Sequence, residues 1–556
     1  MKDKQTLKWL YSHSKAQVFS ILLLSVLRCA LAILGVVFAL SSKSVIDAAV
    51  SHDLHGLVVG AIKLISIIIV QIAIRLAGQA FEAHISAKLQ IRFRNRIFTS
   101  ILKKDYSIIT SYHSGDLLTR LNNDISIISN GIISLIPSVT ALIVGLIYAL
   151  YALIRLDKNF AFIFLFGGIL LLLVISAFRK IMKTLHKRVQ ESEAKTRSFF
   201  QESLGSILMI KVFGIEDKIS QTARSLQDIN YKAQMKRVGL SLLSHTGLST
   251  VFNAGSLYAL LWSAYRLFLG TITVGTLTAI IQLVNQIQAP FAGLSGVVPK
   301  YYSILASGER IIEIDNLPDE SELYPPLDPV SSYEKLQSIS FENISFSYGR
   351  DVVLDNANLT IDKGDFAVIA GISGIGKSTL IKLLLGVLIP TSGNICLNMT
   401  DKNLNVGKFS RPLFSYVPQG NLLLSGTIRE AVSLVKPDAT NEEIMKAAEI
   451  SCAADFINQL PQGLDTYVGE KGMGLSEGQV QRLAVTRAIL SDAPIILLDE
   501  ATSALDESTE ERLLANIREQ KDKTCIIISH KRAAFNICNK HIYIEDKKLR
   551  TELNQI

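Results

Sequence analysis

The sequence predicts an α-helical membrane domain of six spans fused to an α/β domain of the P-loop type. Three observations predict it. Long apolar runs crowd the chain before about residue 300, while the remainder reads as a mixed α/β sequence. An acidic, proline-bearing stretch, DNLPDESELYPPLDPVSSYEKLQ, separates the two at 315–337. Beyond it, the short apolar run Phe366–Ala370 leads into GISGIGKSTL, and that into a second apolar run, Leu380–Leu388. Apolar run, glycine loop, apolar run reads as buried strand, loop and helix. The expected division is therefore a membrane domain at 1–314, a linker at 315–337 and a P-loop domain at 338–556.

Composition narrows the class. A chain of 556 residues suits two or three domains. Its 49% hydrophobic and 19% charged residues, with mean hydropathy +0.33, exceed what a soluble enzyme needs. The net charge of +8 is not laid out as a basic stripe interleaved with aromatics, so nucleic acid is not an expected partner. The five cysteines are odd in number and contain no C-x-x-C pair, which favours reduced thiols facing the cytosol over a disulfide framework or zinc site. The first apolar run exceeds a signal-peptide core and lacks a cleavage site, so it is expected to be retained as a span. No accessory peptidase is expected ahead of it.

Six segments are long and apolar enough to cross a bilayer, near 17–40, 57–80, 131–154, 159–178, 240–268 and 273–298. Short turns around Asp157 and Gly270 join spans three to four and five to six. The connections between two and three, and between four and five, are long, polar and amphipathic, so the helices are expected to continue into the cytosol. Lys and Arg set the orientation. The tail carries Lys2, Lys4, Lys8 and Lys15; the first long connection carries Arg92, Arg94, Arg96, Lys103 and Lys104. The second carries Arg179, Lys180, Lys183, Lys187 and Arg188. Tail, long connections and P-loop domain are thus cytoplasmic, in an integral multi-pass protein of a bacterial inner membrane.

Polar residues within the spans admit two readings. His245, Ser249, Asn253 and Ser256 share one face of span five, and Gln282, Asn285, Gln286 and Gln288 cluster in span six. They line a solute pathway or bond helices to one another. For span six the pathway is the stronger reading. Arg28, mid-span in the first helix, faces a cavity or pairs with a buried acid, with the cavity slightly favoured.

In the P-loop domain, Gly371, Gly376, Lys377 and Ser378 fill G-x-x-x-x-G-K-[ST]. Ser373, Gly374 and Thr379 complete the cradle. Backbone N–H groups and the following helix N-terminus face a phosphate chain, Lys377 reaches the β- and γ-phosphates, and Ser378 ligates Mg²⁺. A nucleoside triphosphate is the expected ligand. Downstream, IILLDE at Ile495–Glu500 reads as a buried strand ending in two acids. Asp499 is placed for the Mg²⁺ shell, and Glu500 for polarising the attacking water. Between them, LSEGQ at Leu475–Gln479 opens a helix with a Ser-x-Gly turn, a second anion cradle.

Taken together these motifs resemble an ATP-binding-cassette (ABC) exporter half-transporter of the bacterial multidrug, lipid or peptide type, over nearly the whole chain. GISGIGKST resembles the family's Walker A, Ile495–Glu500 its Walker B with catalytic glutamate, and LSEGQ its signature, contributing Ser476, Gly478 and Gln479. Tyr348 stands where the family stacks an aromatic on adenine. Gln419 in YVPQ resembles the Q-loop glutamine at Mg²⁺, Asp506 in SALD the D-loop, His530 the switch histidine, and Val468–Gly472 the X-loop. Gly115, Asp116 and Arg120 are similar to the first coupling region, and Ile210–Glu216 lies near the second. The resemblance implies an ATPase coupled to transport, with ATP and Mg²⁺ as cofactors. It also implies a second copy, or a homologous half-transporter, to complete each ATP site. Glu500 and His530 are the implied catalytic residues. The cargo is expected to be an amphipathic peptide, lipid-linked molecule or drug leaving the cytosol. A metal-chelate importer on the same scaffold is the alternative. Glu477 departs from the commoner LSGGQ, and a weakened site in a heterodimer is a further alternative to an active homodimer.

Overall fold

The computed structural model describes residues 2–321, 324–420, 423–469, 472–520 and 522–553. Side chains at 2, 159–180, 183, 244–245, 248, 291–292, 294–295 and 298 fall outside the description. The chain forms two compact units, one of 1–100 with 114–316, the other of 101–113 with 317–556.

The first unit is built on six long helices: α1 (Val18–Val50), α2 (Leu54–Lys103), α3 (Ile125–Leu156), α4 (Lys158–Gly205), α5 (Glu216–Phe268) and α6 (Val274–Asp315). At 1.5 Å per residue, the 50 residues of α2 extend about 75 Å, more than twice the bilayer core. The polar connections are therefore continuous with the apolar runs, as their lack of proline predicts. Among the described residues, three stretches are long and apolar enough to span a membrane: Asp3–Val50, Leu54–Lys103 and Ser114–Leu156. The side chains of span four lie outside the description.

The unit's core is formed by Val36 and Ala39 of α1, Ala149 and Leu153 of α3, Ala259 of α5, and Leu283 and Val284 of α6. Small residues at these contacts let the backbones approach. The amides of α6 sit around this core as links between helices. Gln286 Nε2 donates to Gly35 O at 2.7 Å and Gln288 Nε2 to Phe252 O at 3.0 Å. Ser256 Oγ donates to Asn285 Oδ1 at 3.4 Å. These bonds support the interhelical reading for Asn285, Gln286 and Gln288. An amide buried in an apolar surround without a hydrogen-bond partner costs free energy, and a carbonyl on the neighbouring helix removes that cost. The side chain of His245 lies outside the described residues.

Arg28 also departs from the favoured reading. It pairs with Glu82 at 2.5 Å and donates to Ser138 Oγ at 2.5 Å, joining α1 to α2 and α3. Neighbouring polar groups extend the contact along the helices. Ser86 and Asn130 bond to one another, Gln90 reaches both, and Lys300 Nζ donates to Ser134 Oγ at 2.5 Å.

The second unit has two main sheets and a two-stranded pair, β7 (Gly426–Thr427) with β8 (Tyr467–Val468). One main sheet has strand order β2-β1-β4-β5, from β1 (Leu336–Tyr348), β2 (Asp351–Asp362), β4 (Ser392–Met399) and β5 (Asn403–Asn405). The other has order β12-β11-β3-β10-β9-β6. It comprises β3 (Phe366–Ala370), β6 (Phe414–Val417), β9 (Ile495–Asp499), β10 (Thr524–Ile528), β11 (Lys540–Glu545) and β12 (Lys548–Leu553). Strands β3, β9 and β10 are buried along their whole length, as unbroken apolar runs in a parallel sheet covered on both faces should be.

The proline-bearing stretch is not a free tether. Lys104, buried, donates to Leu317 O and Asp319 Oδ1, both at 2.7 Å, and Asp105 N donates to Pro318 O at 3.1 Å. Arg411 pairs with Glu320. The short helix Tyr106–Ile109 therefore packs with the second unit, whereas Arg120 bonds Asp116, Arg310 O and Glu313 within the first.

Candidate nucleotide site

In a parallel sheet all strands deliver their following loops to one edge, and that geometry assembles the site. Strands β3, β10, β9 and β6 run parallel and adjacent. Their C-terminal ends bring Gly371, Ser529–His530, Asp499–Glu500 and Pro418–Gln419 to the same rim. These four stretches lie up to about 160 residues apart in the chain.

The glycine loop needs its glycines. Gly374 and Gly376 have φ of +81° and +114°, and a Cβ at Gly376 would meet Val353 Cγ1 at 2.2 Å. Only glycine supplies that backbone without strain. Helix α7 (Lys377–Leu384) starts at once, turning its N-terminal N–H groups to the loop. Lys377 is buried, its Nζ donating to Gly371 O at 2.7 Å and Ile372 O at 3.1 Å. The lysine thus closes the loop into a ring around an ammonium. Ser373 is exposed on the crest, while Thr379 is buried and lies 3.5 Å from the hydroxyl of Tyr348. The Tyr348 ring is half exposed, set edge-on to Phe346 at 4.9 Å, and leaves a face for stacking.

Asp499 is 2% exposed. Its Oδ1 accepts from Ser378 Oγ at 3.0 Å and its Oδ2 from Tyr416 Oη at 3.1 Å. Burial pushes its carboxyl above the usual range, and the two hydroxyl donors work against that shift. Among the described residues no cluster of three acids, histidines or cysteines holds a metal. One buried carboxylate beside a serine hydroxyl instead suits a hard, oxygen-loving cation that takes its remaining ligands from phosphate and water.

Glu500 adopts φ +51°, a left-handed conformation costing a non-glycine residue about 1–3 kcal/mol. Its backbone N–H bonds to Ile528 O at 3.1 Å, and its Oε2 accepts from Gln419 Nε2 at 2.6 Å. His530 follows β10 on the same rim, exposed.

The signature lies elsewhere in the unit. Ser476 caps helix α8 (Glu477–Leu490), with Gln479 Oε1 accepting from Ser476 N at 2.9 Å and Ser476 Oγ accepting from Gln479 N at 3.3 Å. Glu477 is exposed in the first turn, where the helix dipole favours a negative charge. A Cβ on Gly478 would sit 3.0 Å from Ala504 O, so glycine lets the D-loop approach. Among the described residues no hydrogen bond joins Ser476, Gly478 or Gln479 to the glycine loop of the same chain. Asp506 caps helix α9 (Glu507–Arg518), accepting from Thr509 N at 3.0 Å and Ser508 Oγ at 2.6 Å. Those bonds hold its carboxyl well below the usual range. Its demonstrated contacts are structural. Glu470 and Lys471, inside VGEKG, lie outside the described residues.

Several supporting residues carry no motif. Gln481 bonds Ser503 Oγ at 2.9 Å and Ala504 N at 3.0 Å, tying α8 to the D-loop. Lys531, next to His530, donates to Thr502 O at 2.8 Å and Leu505 O at 2.7 Å, and pairs with the fully buried Glu510. The hydroxyl of Tyr416 was invisible for the same reason: its partner is distant in sequence.

Comparison with known proteins agrees with this geometry. The family model for the ABC transporter transmembrane region matches residues 18–291, and the model for the ABC transporter ATP-binding region matches 354–503. A putative export ATP-binding/permease protein of Rickettsia bellii is 30% identical, covering 97% of this chain and 93% of its own length. An ATP-dependent lipid A-core flippase of Desulfotalea psychrophila is 28% identical over 83% of this chain and 80% of its own. Among solved structures, a bacterial Atm1-family ABC exporter with ATP bound shares the fold at TM-score 0.79, with 22% identity, 97% of this chain and 95% of that one covered. The chain belongs to the ABC transporters: it is a membrane-embedded ATPase that joins a transporter membrane region and an ATP-binding domain in one polypeptide.

Proposed function

We propose that this protein is a homodimeric exporter that uses ATP hydrolysis to move an amphipathic solute out of the cytosol by alternating access. The observation that carries it is that, among the described residues, no hydrogen bond joins the Gly371–Thr379 loop to Ser476–Gln479 within one chain. Each is a phosphate cradle lacking its other half, and a second copy supplies that half to both sites at once. The exposed helix Ile207–Phe213, with Leu208, Val212 and Phe213 all above 69% exposure, is a further surface for the second copy.

In this reading the six spans lie within 1–314, the join at 315–337 and the ATP-binding domain at 338–556, in a bacterial inner membrane. Tyr348 stacks on adenine, and Gly371, Ser373, Gly374, Gly376, Lys377 and Thr379 hold the phosphates. Ser476, Gly478, Gln479 and Asp506 close the site from the second copy. Ser378, Asp499 and Gln419 hold Mg²⁺, which when bound neutralises charge developing on the phosphates. Glu500 takes a proton from the attacking water, and His530 steadies the γ-phosphate. An amphipathic cargo accords with a membrane unit that is apolar outside yet crossed by the Arg28–Glu82–Ser138 network, and with relatives named for multidrug export and lipid flipping.

Inside-out vesicles containing the purified chain should accumulate an amphipathic fluorophore only when ATP is added. ATP-driven loss of preloaded solute from those vesicles would identify an importer. The exposed Glu477 favours one second reading, a heterodimer with one weakened site. Co-purification of a different half-transporter at equal stoichiometry would replace the homodimer.

A further inference from the structure

We propose that Tyr416 is a positioning residue for the metal shell, and that the segment Tyr416–Gln419 holds both acids of the site as one piece. The proposal rests on the reading of Asp499 as a Mg²⁺ ligand.

Asp499 is almost wholly buried, and a buried carboxylate keeps its charge only if donors face it. Two hydroxyls do so. Ser378 Oγ is itself expected to turn a lone pair to the cation, whereas Tyr416 Oη has no such task. It holds Oδ2 at 3.1 Å and leaves Oδ1 directed to Ser378. Strand register makes this reach possible. β6 lies parallel to β9 with Tyr416 beside Leu497, so the phenol leans along the strand and meets the residue two positions further on.

Three residues later the same segment supplies Gln419, whose amide donates to Glu500 Oε2 at 2.6 Å. Successive acids, Asp499 and Glu500, are thus gripped by side chains from one stretch of backbone. A displacement of β6 moves metal ligand and base together.

The test uses the full chain in lipid discs with Mn²⁺ as probe and a non-hydrolysable ATP analogue, read by electron paramagnetic resonance. Tyr416→Phe keeps the ring and removes the hydroxyl. It should weaken Mn²⁺ binding by about 10-fold, the usual cost of losing a second-sphere partner. Analogue affinity without metal should stay within about 2-fold of the parent. The Mg²⁺ midpoint for ATP hydrolysis should rise in parallel, with the rate largely restored at saturating Mg²⁺. Ser415→Ala, on the same strand at a buried hydroxyl without a hydrogen-bond partner among the described residues, is the control and should leave Mn²⁺ binding alone. Equal Mn²⁺ affinity in parent and Tyr416→Phe would overturn the proposal, as would equal weakening in Ser415→Ala. If the parent itself takes up no Mn²⁺ with the analogue, the Mg²⁺ reading of Asp499 fails instead.

Discussion

Gln419 Nε2 donates to Glu500 Oε2 at 2.6 Å, so the glutamine and the acid expected to act as base are held together. The bond helps to keep Glu500 in its left-handed backbone conformation, which a free glutamate would leave.

Glu500→Gln tests the assignment. An amide keeps the size of the carboxylate and can still bond to Gln419, but it cannot accept a proton. ATP hydrolysis should fall by about 10²- to 10⁴-fold while nucleotide affinity changes little. Substantial residual turnover in the purified variant would remove Glu500 from its role as base.

Lys377→Met removes the ammonium that bridges Gly371 O and Ile372 O. Two effects should appear together. ATP affinity should drop by at least about tenfold, because a charge-assisted phosphate contact is lost. Hydrogen exchange in 371–376 should quicken even without nucleotide, because the loop loses its internal tie. Normal loop protection in the variant would show that the lysine does not brace the loop.

Glu477→Gln separates the local from the functional consequence of the altered signature. The exposed carboxylate in the first turn of α8 gains from the helix dipole, so neutralising it should cost about 0.3–1 kcal/mol in stability. If LSEGQ closes over a partner's phosphates, the same substitution should tighten ATP binding, since one negative charge leaves the site. Thermal unfolding and ATP titration of the variant measure the two shifts, and ATP binding that does not tighten would place the side chain away from phosphate.

The tie between 103–105 and 317–320 should depend on acid. Lys104, through its hydrogen bond and charge, holds Asp319 below the usual carboxylate range. A carboxyl whose pKa is lowered by folding lends stability above its unfolded pKa and loses it as pH falls through the folded value. Protection of the Asp105 amide, which bonds to Pro318 O, should therefore hold at neutral pH and fade below about pH 4. Asp319→Asn should show the faded state already at pH 7. Hydrogen exchange at Asp105 that is equal in both proteins across this range would count against the tie.

Much of the site was readable in the sequence because phosphate chemistry constrains residues that are close in the chain. Gly371 to Thr379 is nine consecutive residues. Its spacing follows from a backbone that must curl with φ above zero and a helix that must start at Lys377. IILLDE and LSEGQ are legible for the same reason, as a buried strand with acids at its end and a serine-capped helix. The apolar runs likewise announced helices, and the unbroken polarity between them their cytosolic extension.

What the chain order could not show is which distant side chains answer each other. Arg28 reads alone as a cavity residue or half of a pair; Glu82, 54 positions away, decides it. The α6 amides read as pathway or interhelical links alike; the Gly35 and Phe252 carbonyls opposite Gln286 and Gln288 show the links. Pro318 and its neighbours read as a linker, and only packing reveals that Lys104 lies buried against them. Tyr416 has no motif because its meaning is set by strand register, which brings a phenol on β6 beside an acid on β9. The sequence by itself determined the class of the protein, through local backbone geometry and hydropathy. Tertiary structure alone decided the pairings, because a buried polar group must be satisfied by whatever partner the fold delivers.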